Sequence, residues 1–460
     1  MAQNRKPASP STLTIILAAG EGTRMRSDKP KVLHEIAGRS LLGHVLMQTR
    51  VQDENAALAV VIGPNREDVA AEVRRHAPHA EIFIQTERRG TAHAVLAAKA
   101  AIARGYGRVQ VAFADMPLVL PASWASLHLA MSQGADLAVI GFQAHDPSGY
   151  GRLLMEGERL QGIVEHKDAN PAQRAITACN SGLMALRGDT MLSILESIGS
   201  QNAQGEFYMT DAVALAVARG QMAKVVFADE TEVMGVNDKR QLAEAEAIMQ
   251  KRLRAAAMTA GVTMLAPDSV HLAHDTEFGR NVTLEPNLYF GKGVVVGDNA
   301  VIHAFSHLEG AKIGTGAHVG PFARLRPGTV LHPSAKVGNF VEIKASEVET
   351  GAKISHLSYI GDARIGANAN IGAGVITCNY DGYLKYRTDI GEGAFIGSNS
   401  SLVAPVSVGN GAIVGSGSVI TRDVAADALA LARSRQVEKP GWAQFFSRKM
   451  RERLGKGKKQ

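Results

Sequence analysis

The chain has 460 residues, too many for one hydrophobic core, so two or three folding units are expected. Its 45% hydrophobic and 20% charged residues are those of a soluble globular protein, and no run approaches the roughly 20 apolar residues of a membrane span. The formal charge of +6 sits in residues 448–460, where seven Lys/Arg accompany one Glu. The remainder is neutral, so no nucleic-acid partner is indicated, and the basic end reads as a solvated, disordered tail. Two cysteines, Cys179 and Cys378, make neither a disulfide framework nor a Cys-based metal site. A reducing, cytoplasmic setting is expected.

Residues 1–12 are polar and lack the apolar core of a signal peptide, so they are expected to form a disordered leader. Residues 13–236 alternate short β-branched runs (14–18, 59–62, 81–86, 109–113) with helical periodicity (40–48, 91–102). Strands alternating with helices predict a mostly parallel sheet covered on both faces, a Rossmann-like α/β domain. Residues 237–261 read as a linker helix, with Leu242, Ala245, Met249 and Leu253 on one stripe and Gly261 as its stop.

From 262 to 425 the period changes to six. Ile390, Ile396, Leu402, Val408, Val414 and Ile420 stand six apart, and glycine follows four of them at 391, 397, 409 and 415. Shorter runs keep the step: Ile313, Val319 and Leu325; Val337 and Ile343; Ile354 and Ile360; Ile365 and Ile371. Such a period fits neither a helix nor a meander of antiparallel strands. It predicts a left-handed parallel β-helix of hexapeptide repeats, with one aliphatic side chain pointing inward on each short face. The pattern breaks at 377–389 and again around 346–353, where insertions are expected to form loops outside the coil. Residues 426–460 read as a C-terminal arm and basic tail.

The segment Leu17-Ala18-Ala19-Gly20-Glu21-Gly22-Thr23-Arg24-Met25 follows the first expected strand. Glycines at 20 and 22 allow the backbone to approach a polyphosphate. A dinucleotide fingerprint would need a third glycine where Met25 stands, and no Walker pattern occurs. Taken alone, Gly-x-Gly is equally an ordinary tight turn. Arg24 and Lys31 add cations of the kind that stabilise charge at a transferring phosphorus.

The complete run, LAAG-x-GTRM followed by KPKVLH, resembles the sugar-phosphate nucleotidyltransferase family. The resemblance implies that Leu17, Ala18, Ala19, Gly20 and Lys31 meet the nucleotide, and that Gln85, Gly90 and Thr91 read uracil. It further implies that Gly151, Glu165 and Asn180 hold the sugar, and that Asp115 and Asn237 bind Mg2+. Each acid or amide also has a plainer reading: Asp115 as a turn cap, Asn237 as the cap of the following helix. The family usually has Tyr-Gly before its metal aspartate, whereas this chain has Phe113-Ala114. The extra methyl of Ala114 is expected to alter packing of the backbone against the nucleotide.

The hexapeptide half resembles CoA-dependent acyltransferases. An amine attacks a thioester only as the free base, and histidine accepts its proton near neutrality without large tuning. The resemblance assigns that role to His356, in the run Ser-His-Leu-Ser-Tyr-Ile-Gly-Asp. It implies that Arg326, Lys344, Tyr359, Asn370 and Lys385 hold a sugar phosphate. Ala373, Asn379, Tyr380, Ser398, Ser416 and Arg433 would meet acetyl-CoA, with Arg435 the alternative to Arg433.

Over residues 13–442 both halves resemble the bifunctional bacterial N-acetylglucosamine-1-phosphate uridyltransferase and glucosamine-1-phosphate acetyltransferase family. This implies acetylation of glucosamine 1-phosphate by acetyl-CoA, then transfer of UMP from UTP to give UDP-N-acetylglucosamine for peptidoglycan and lipopolysaccharide. It also implies a homotrimer through the β-helix. Two rival readings are a one-activity pyrophosphorylase with a structural β-helix and a non-catalytic scaffold trimer.

Overall fold

The computed structural model describes residues 12–52 and 56–456. Residues 1–11 of the expected leader and the last four residues of the basic tail lie outside them, while Thr12, expected in the leader, begins the first strand and is fully buried. The chain divides into two units, one of residues 1–256 with 272–274 and one of residues 257–271 with 275–460.

The first unit is built on a nine-stranded mixed sheet. Its strands are β1 (Thr12–Ala18), β2 (Ala57–Ile62), β3 (Glu81–Ile84), β4 (Arg108–Phe113), β5 (Leu137–Gln143), β6 (Gly151–Glu156), β7 (Arg159–Val164), β8 (Ala178–Arg187) and β9 (Ala223–Phe227). The main path runs β9-β5-β8-β4-β1-β2-β3, and the β6–β7 hairpin pairs with β8. All neighbours on this path are parallel except β8, which runs antiparallel to both β4 and β5. Alternate residues of β1 serve opposite faces. Leu13 and Ile15 join one apolar cluster, while Ile16 and Ala18 join the other with Trp124. The sheet is thereby buried on both sides, as its runs of Val, Ile and Leu require.

The central strand β1 lies between β2 and β4, so the chain order reverses there. In open α/β sheets such a reversal leaves a crevice beyond the carboxyl ends of the strands. The Gly20 loop leaves β1 at this point and Asp115 follows β4 beside it, with Leu17 paired to Phe113 and Ala114 N–H donating to Leu17 O at 3.0 Å.

The helix Lys239–Thr259 lays Leu242, Ala245, Ile248 and Met249 against Ile36, Leu41 and Leu118. Its Gln250 donates to Leu272 O at 2.6 Å and accepts from Leu272 N–H at 2.8 Å.

The second unit is a left-handed parallel β-helix, its short strands forming three parallel sheets of ten, nine and eight strands. Most strands recur at intervals of 18 or 17 residues: Phe395 pairs with Ile413, but Glu347 pairs with Arg364. All fifteen aliphatic residues named from the six-residue step are at most 4% exposed. Each contributes about 1.5–3 kcal/mol of burial. Glycine follows ten of them, where the coils stack closely: a Cβ on Gly397 would lie 2.4 Å from Ser416 N.

One interval is long. Asn370 pairs with Phe395, 25 residues on, and the extra residues form the loop between Cys378 and Thr388. The second break, around 346–353, is not an insertion. Ile343 and Val348 are both fully buried five residues apart, so one residue has been dropped from a face and Glu347–Val348 remains a strand of the coil.

The basic end also differs from expectation. Trp442–Lys456 is a helix, exposed from Trp442 to Leu454 except at the half-buried Met450, with Trp442 stacked on Phe446 at 5.0 Å. Its charges are solvated, yet spacing of Trp442, Phe445, Phe446 and Met450 at three- and four-residue steps gives it a helical period that composition alone concealed.

Candidate functional site

A cavity of about 250 Å3 opens at the switch point, lined by Leu17, Ala18, Ala19 and Gly20 on one side and Gln85, Gly90 and Thr91 on the other. Lys31 and Asp115 also line it. Glycine at 90 is required twice over. Its φ is +112°, and a Cβ there would lie 2.5 Å from Phe207 O. The loop is latched to that segment by Ala92 N–H to Phe207 O at 2.9 Å and Met209 N–H to Thr91 Oγ1 at 2.9 Å. At Gly20 a Cβ would meet nothing within 4 Å, so the glycine face opens into space.

Three residues far apart in sequence meet at the floor. Lys31 Nζ donates to Asp115 Oδ2 at 2.5 Å and to Asn237 Oδ1 at 3.1 Å. Asn237 is brought there by Val236 N–H donating to Asp115 O at 2.9 Å, and its own N–H is taken by Gln241 Oε1 at 2.8 Å. The asparagine therefore presents its side-chain oxygen to the site, not to the helix that follows. Two uncharged or anionic oxygens converging on one cation form the hard donor set that suits Mg2+.

Gly151, Glu165 and Asn180 form a second group on the β6–β7–β8 side. Asn180 pairs with Gly151, and a Cβ on Gly151 would lie 3.5 Å from both carboxylate oxygens of Glu165. The register of β8 shifts between Asn180 and Met184, an irregularity of the kind that re-aims side chains. Asn180 Oδ1 is buried without a partner, which suits it to a polar ligand. Burial raises the Glu165 carboxyl above its usual range, while the Thr210 hydroxyl, donating at 3.0 Å, opposes that shift.

Arg24 is exposed on the short 3-10 turn Thr23–Met25 and does not line the cavity. Arg88, which the sequence did not single out, does line it, and donates to Ala19 O at 3.3 Å and to the Glu21 carboxylate. Glu206 is a further lining residue missed in the sequence, and Phe113, noted there only as a departure from the family pattern, lines the cavity as well. The Ala114 methyl is fully buried in the apolar cluster beneath the sheet, so Phe113 is the member of the Phe-Ala pair facing the cavity.

In the second unit, His356 ends the strand Lys353–His356 and is exposed. Its Nδ1 lies 2.6 Å from Asn339 Oδ1, its partner one coil earlier. An amide oxygen only accepts, so Nδ1 carries the hydrogen and Nε2 keeps a free lone pair.

Successive coils stack a column of expected residues beyond it. Gly374 N–H bonds His356 O, Asn399 N–H bonds Ala373 O and Gly417 N–H bonds Ser398 O. Ala373, Ser398 and Ser416 thus lie in line from His356. Arg433 completes the column by donating from Nη1 to Ser416 O at 3.0 Å.

Cations gather on the neighbouring face. Lys344 lies beside Lys385 of the loop, and that neighbour pushes Lys385 below the usual lysine range. Arg326 donates to Glu342 Oε1 at 2.8 Å. Closely spaced like charges are relieved by an anion, so the arrangement suits an anionic ligand. Asn379 is 6% exposed and Tyr359 lies close by, since a Cβ on Gly361 would approach both. Tyr380 is exposed on the loop, its hydroxyl donating to Gly382 O at 2.5 Å. Asn370 is half-buried on the coil that follows His356, paired with Lys353.

Residues 14–196 match the MobA-like NTP transferase domain, and residues 387–422 match the bacterial transferase hexapeptide family of six repeats. The chain is similar to bifunctional protein GlmU of Azorhizobium caulinodans, at 60% identity over 94% of this chain and 96% of that protein. It is also similar to bifunctional protein GlmU of Xanthobacter autotrophicus, at 59% over 95% and 97%, and of Agrobacterium fabrum, at 51% over 94% and 95%.

Proposed function

The chain belongs to the GlmU family of bifunctional uridyltransferase/acetyltransferases, and from that premise we propose that the cavity beyond β1 performs uridyl transfer and the column headed by His356 performs acetyl transfer. The column carries this division. A structural coil has no use for a base-ready histidine, a line of small residues and a terminal arginine along one corner.

In the acetyl step, His356 Nε2 takes the proton from the 2-amino group of glucosamine 1-phosphate. The freed amine attacks the thioester carbon of acetyl-CoA, the amide C–N bond forms, and the C–S bond breaks to release CoA. Lys344, Lys385 and Arg326 hold the phosphate, with Tyr359 and Asn370 on the sugar. Ala373, Asn379, Tyr380, Ser398, Ser416 and Arg433 follow the CoA chain.

In the uridyl step, a phosphate oxygen of N-acetylglucosamine 1-phosphate attacks the α-phosphorus of UTP and pyrophosphate leaves. Leu17, Ala18, Ala19 and Gly20 present backbone to the nucleotide, Gln85, Gly90 and Thr91 read the base, and Gly151, Glu165 and Asn180 hold the sugar. Lys31 stabilises the charge that develops on phosphorus, and Arg24 is assigned the same role from the family motif. Asp115 and Asn237 would hold Mg2+, since their oxygens already enclose one cation. The metal would neutralise charge on the phosphate oxygens.

The enzyme works in the cytoplasm as a homotrimer assembled through the β-helix. Among the described residues no helix is long and apolar enough to cross a membrane. Exposed rings of Phe305, Phe322 and Phe340 stack at 4.9 and 5.1 Å along one corner, an apolar ridge of the sort subunits bury.

A coupled reaction supplied with UTP, acetyl-CoA and glucosamine 1-phosphate tests the reading. UDP-N-acetylglucosamine, CoA and pyrophosphate should all form. Pyrophosphate release from N-acetylglucosamine 1-phosphate without any acetyl transfer to glucosamine 1-phosphate would leave a one-activity pyrophosphorylase.

A further inference from the structure

The loop between Cys378 and Thr388 is the one long excursion from the coil, and it carries Asn379, Tyr380 and Lys385. Both of its ends are held by Asp362, a residue in the left-handed region with φ +49°. At the loop's start, Asn379 Nδ2 donates to Asp362 Oδ2 at 2.5 Å. At its end, Thr388 N–H donates to Asp362 O at 3.2 Å. The same Oδ2 lies 3.5 Å from Lys344 Nζ, and Asp362 N–H donates to Lys344 O at 3.1 Å.

These contacts are compact because residue 361 is glycine. A Cβ there would lie 2.5 Å from the Tyr359 hydroxyl oxygen and 2.7 Å from Asn379 Nδ2. The absent side chain leaves the space in which Tyr359, Asn379 and Asp362 meet. Asp362 also supplies the negative charge beside the two crowded ammonium groups. Lys344 and Lys385 repel each other, Arg326 adds to the repulsion at Lys385, and Asp362 opposes it.

We propose that Asp362 is a positioning residue that sets both halves of the acetyl-transfer site from one carboxylate, orienting the Asn379 amide toward acetyl-CoA and the Lys344 ammonium toward the sugar phosphate. This rests on the acetyltransferase reading given above. A simple loop clip would need only the main-chain bonds at 344 and 388. The side chain adds a bond to a nearly buried amide and a charge pair, and both end on residues of different subsites.

Two variants separate the contributions. Asp362→Ala removes the acceptor and the charge, so KM should rise about tenfold for both acetyl-CoA and glucosamine 1-phosphate, from loss of a charge-assisted hydrogen bond at Asn379 and of an ion pair at Lys344. Asp362→Asn keeps an acceptor for Asn379 but offers Lys344 no charge. It should return KM for acetyl-CoA to within about threefold of wild type, leaving that for the sugar phosphate raised. Uridyl transfer should be unchanged in both. Wild-type KM values for both substrates in Asp362→Asn would overturn the proposal, as would equal losses for both substrates in the two variants with a lowered melting temperature, the mark of a clip. If the wild-type protein itself transfers no acetyl group, the acetyltransferase reading fails and the proposal falls with it.

Discussion

The Lys31 ammonium and the Asp115 carboxylate, 84 positions apart in the chain, form a 2.5 Å ion pair at the floor of the nucleotide cavity, with side chains only 11% and 20% exposed. Asn237 completes the group from beyond β9. The ammonium occupies the space between the two oxygens proposed to hold Mg2+, so lysine and metal would compete for the same donors.

Lys31→Met is therefore expected to act in two directions. Uridyl transfer should fall about 100-fold or more, as when one stabilising donor is removed from a charge-developing centre. Binding of Mn2+ to the nucleotide-free protein, followed by electron paramagnetic resonance, should tighten because Asp115 and Asn237 are released. Unchanged or weaker Mn2+ binding would show that the lysine does not hold the site.

Asn339 fixes which nitrogen of His356 carries the hydrogen. Asn339→Ala leaves the imidazole free to adopt the other tautomer and to turn. The expected loss in kcat/KM for acetyl transfer is about tenfold, the value of one hydrogen bond, with uridyl transfer unaffected. Asn339→Asp, which still accepts from Nδ1–H, should recover most of it. Steady-state rates with both substrates varied provide the check.

His44 provides a pH dependence of stability. It is 6% exposed, its Nε2 lies 2.9 Å from Ile36 O, and burial pushes its pKa down to about 4. In the unfolded chain it titrates near 6.5. Between these values the unfolded state binds the extra proton, so stability is fully present above about pH 6.5 and falls as the pH drops toward 4. The loss attributable to this residue is about 3 kcal/mol. Urea unfolding followed through the buried Trp124 should show a shallower acid loss in His44→Gln, which keeps a donor toward Ile36 O.

The sequence carried the inward column of the β-helix because a six-residue step leaves a pattern no other fold imitates, and Ile390 to Ile420 are buried without exception. It did not carry the phase slips. Leu308 to Ile313 and Ile360 to Ile365 are five-residue steps, where a face loses a residue while its inward side chain is kept. Thr377 holds an inward place as a fully buried hydroxyl, accepting from Gly361 N–H at 2.8 Å, so an aliphatic search passes over it.

Residues that reach a site from an adjacent coil were the hardest to find. Asn339 and Asp362 lie about one coil from the groups they hold, His356 and Asn379, and only the 17-residue register of those coils brings them together. Counting 17 back from His356 would have reached Asn339. In the first unit, Gly20, Gln85 and Asp115 were named through the resemblance to nucleotidyltransferase motifs, and the fold sets them just past the ends of β1, β3 and β4 around one cavity. Arg88 was not, since its place depends on how the loop after β3 folds over the glycines. The Ala114 methyl was expected to act on the nucleotide side because the family has glycine there, but alternation along β4 carries on past Phe113 and puts Ala114 in the same apolar cluster as Ala112.

The central claim is that two independent chemistries reside in one chain, and His356→Ala tests it most directly when both activities are measured on the same preparation. Acetyl transfer from acetyl-CoA to glucosamine 1-phosphate should fall by about 100- to 10,000-fold, the range for removing a general base. Pyrophosphate release from UTP and N-acetylglucosamine 1-phosphate should stay at the wild-type rate. Acetyl transfer persisting at the wild-type rate, or both activities falling together in a folded protein, would contradict the account.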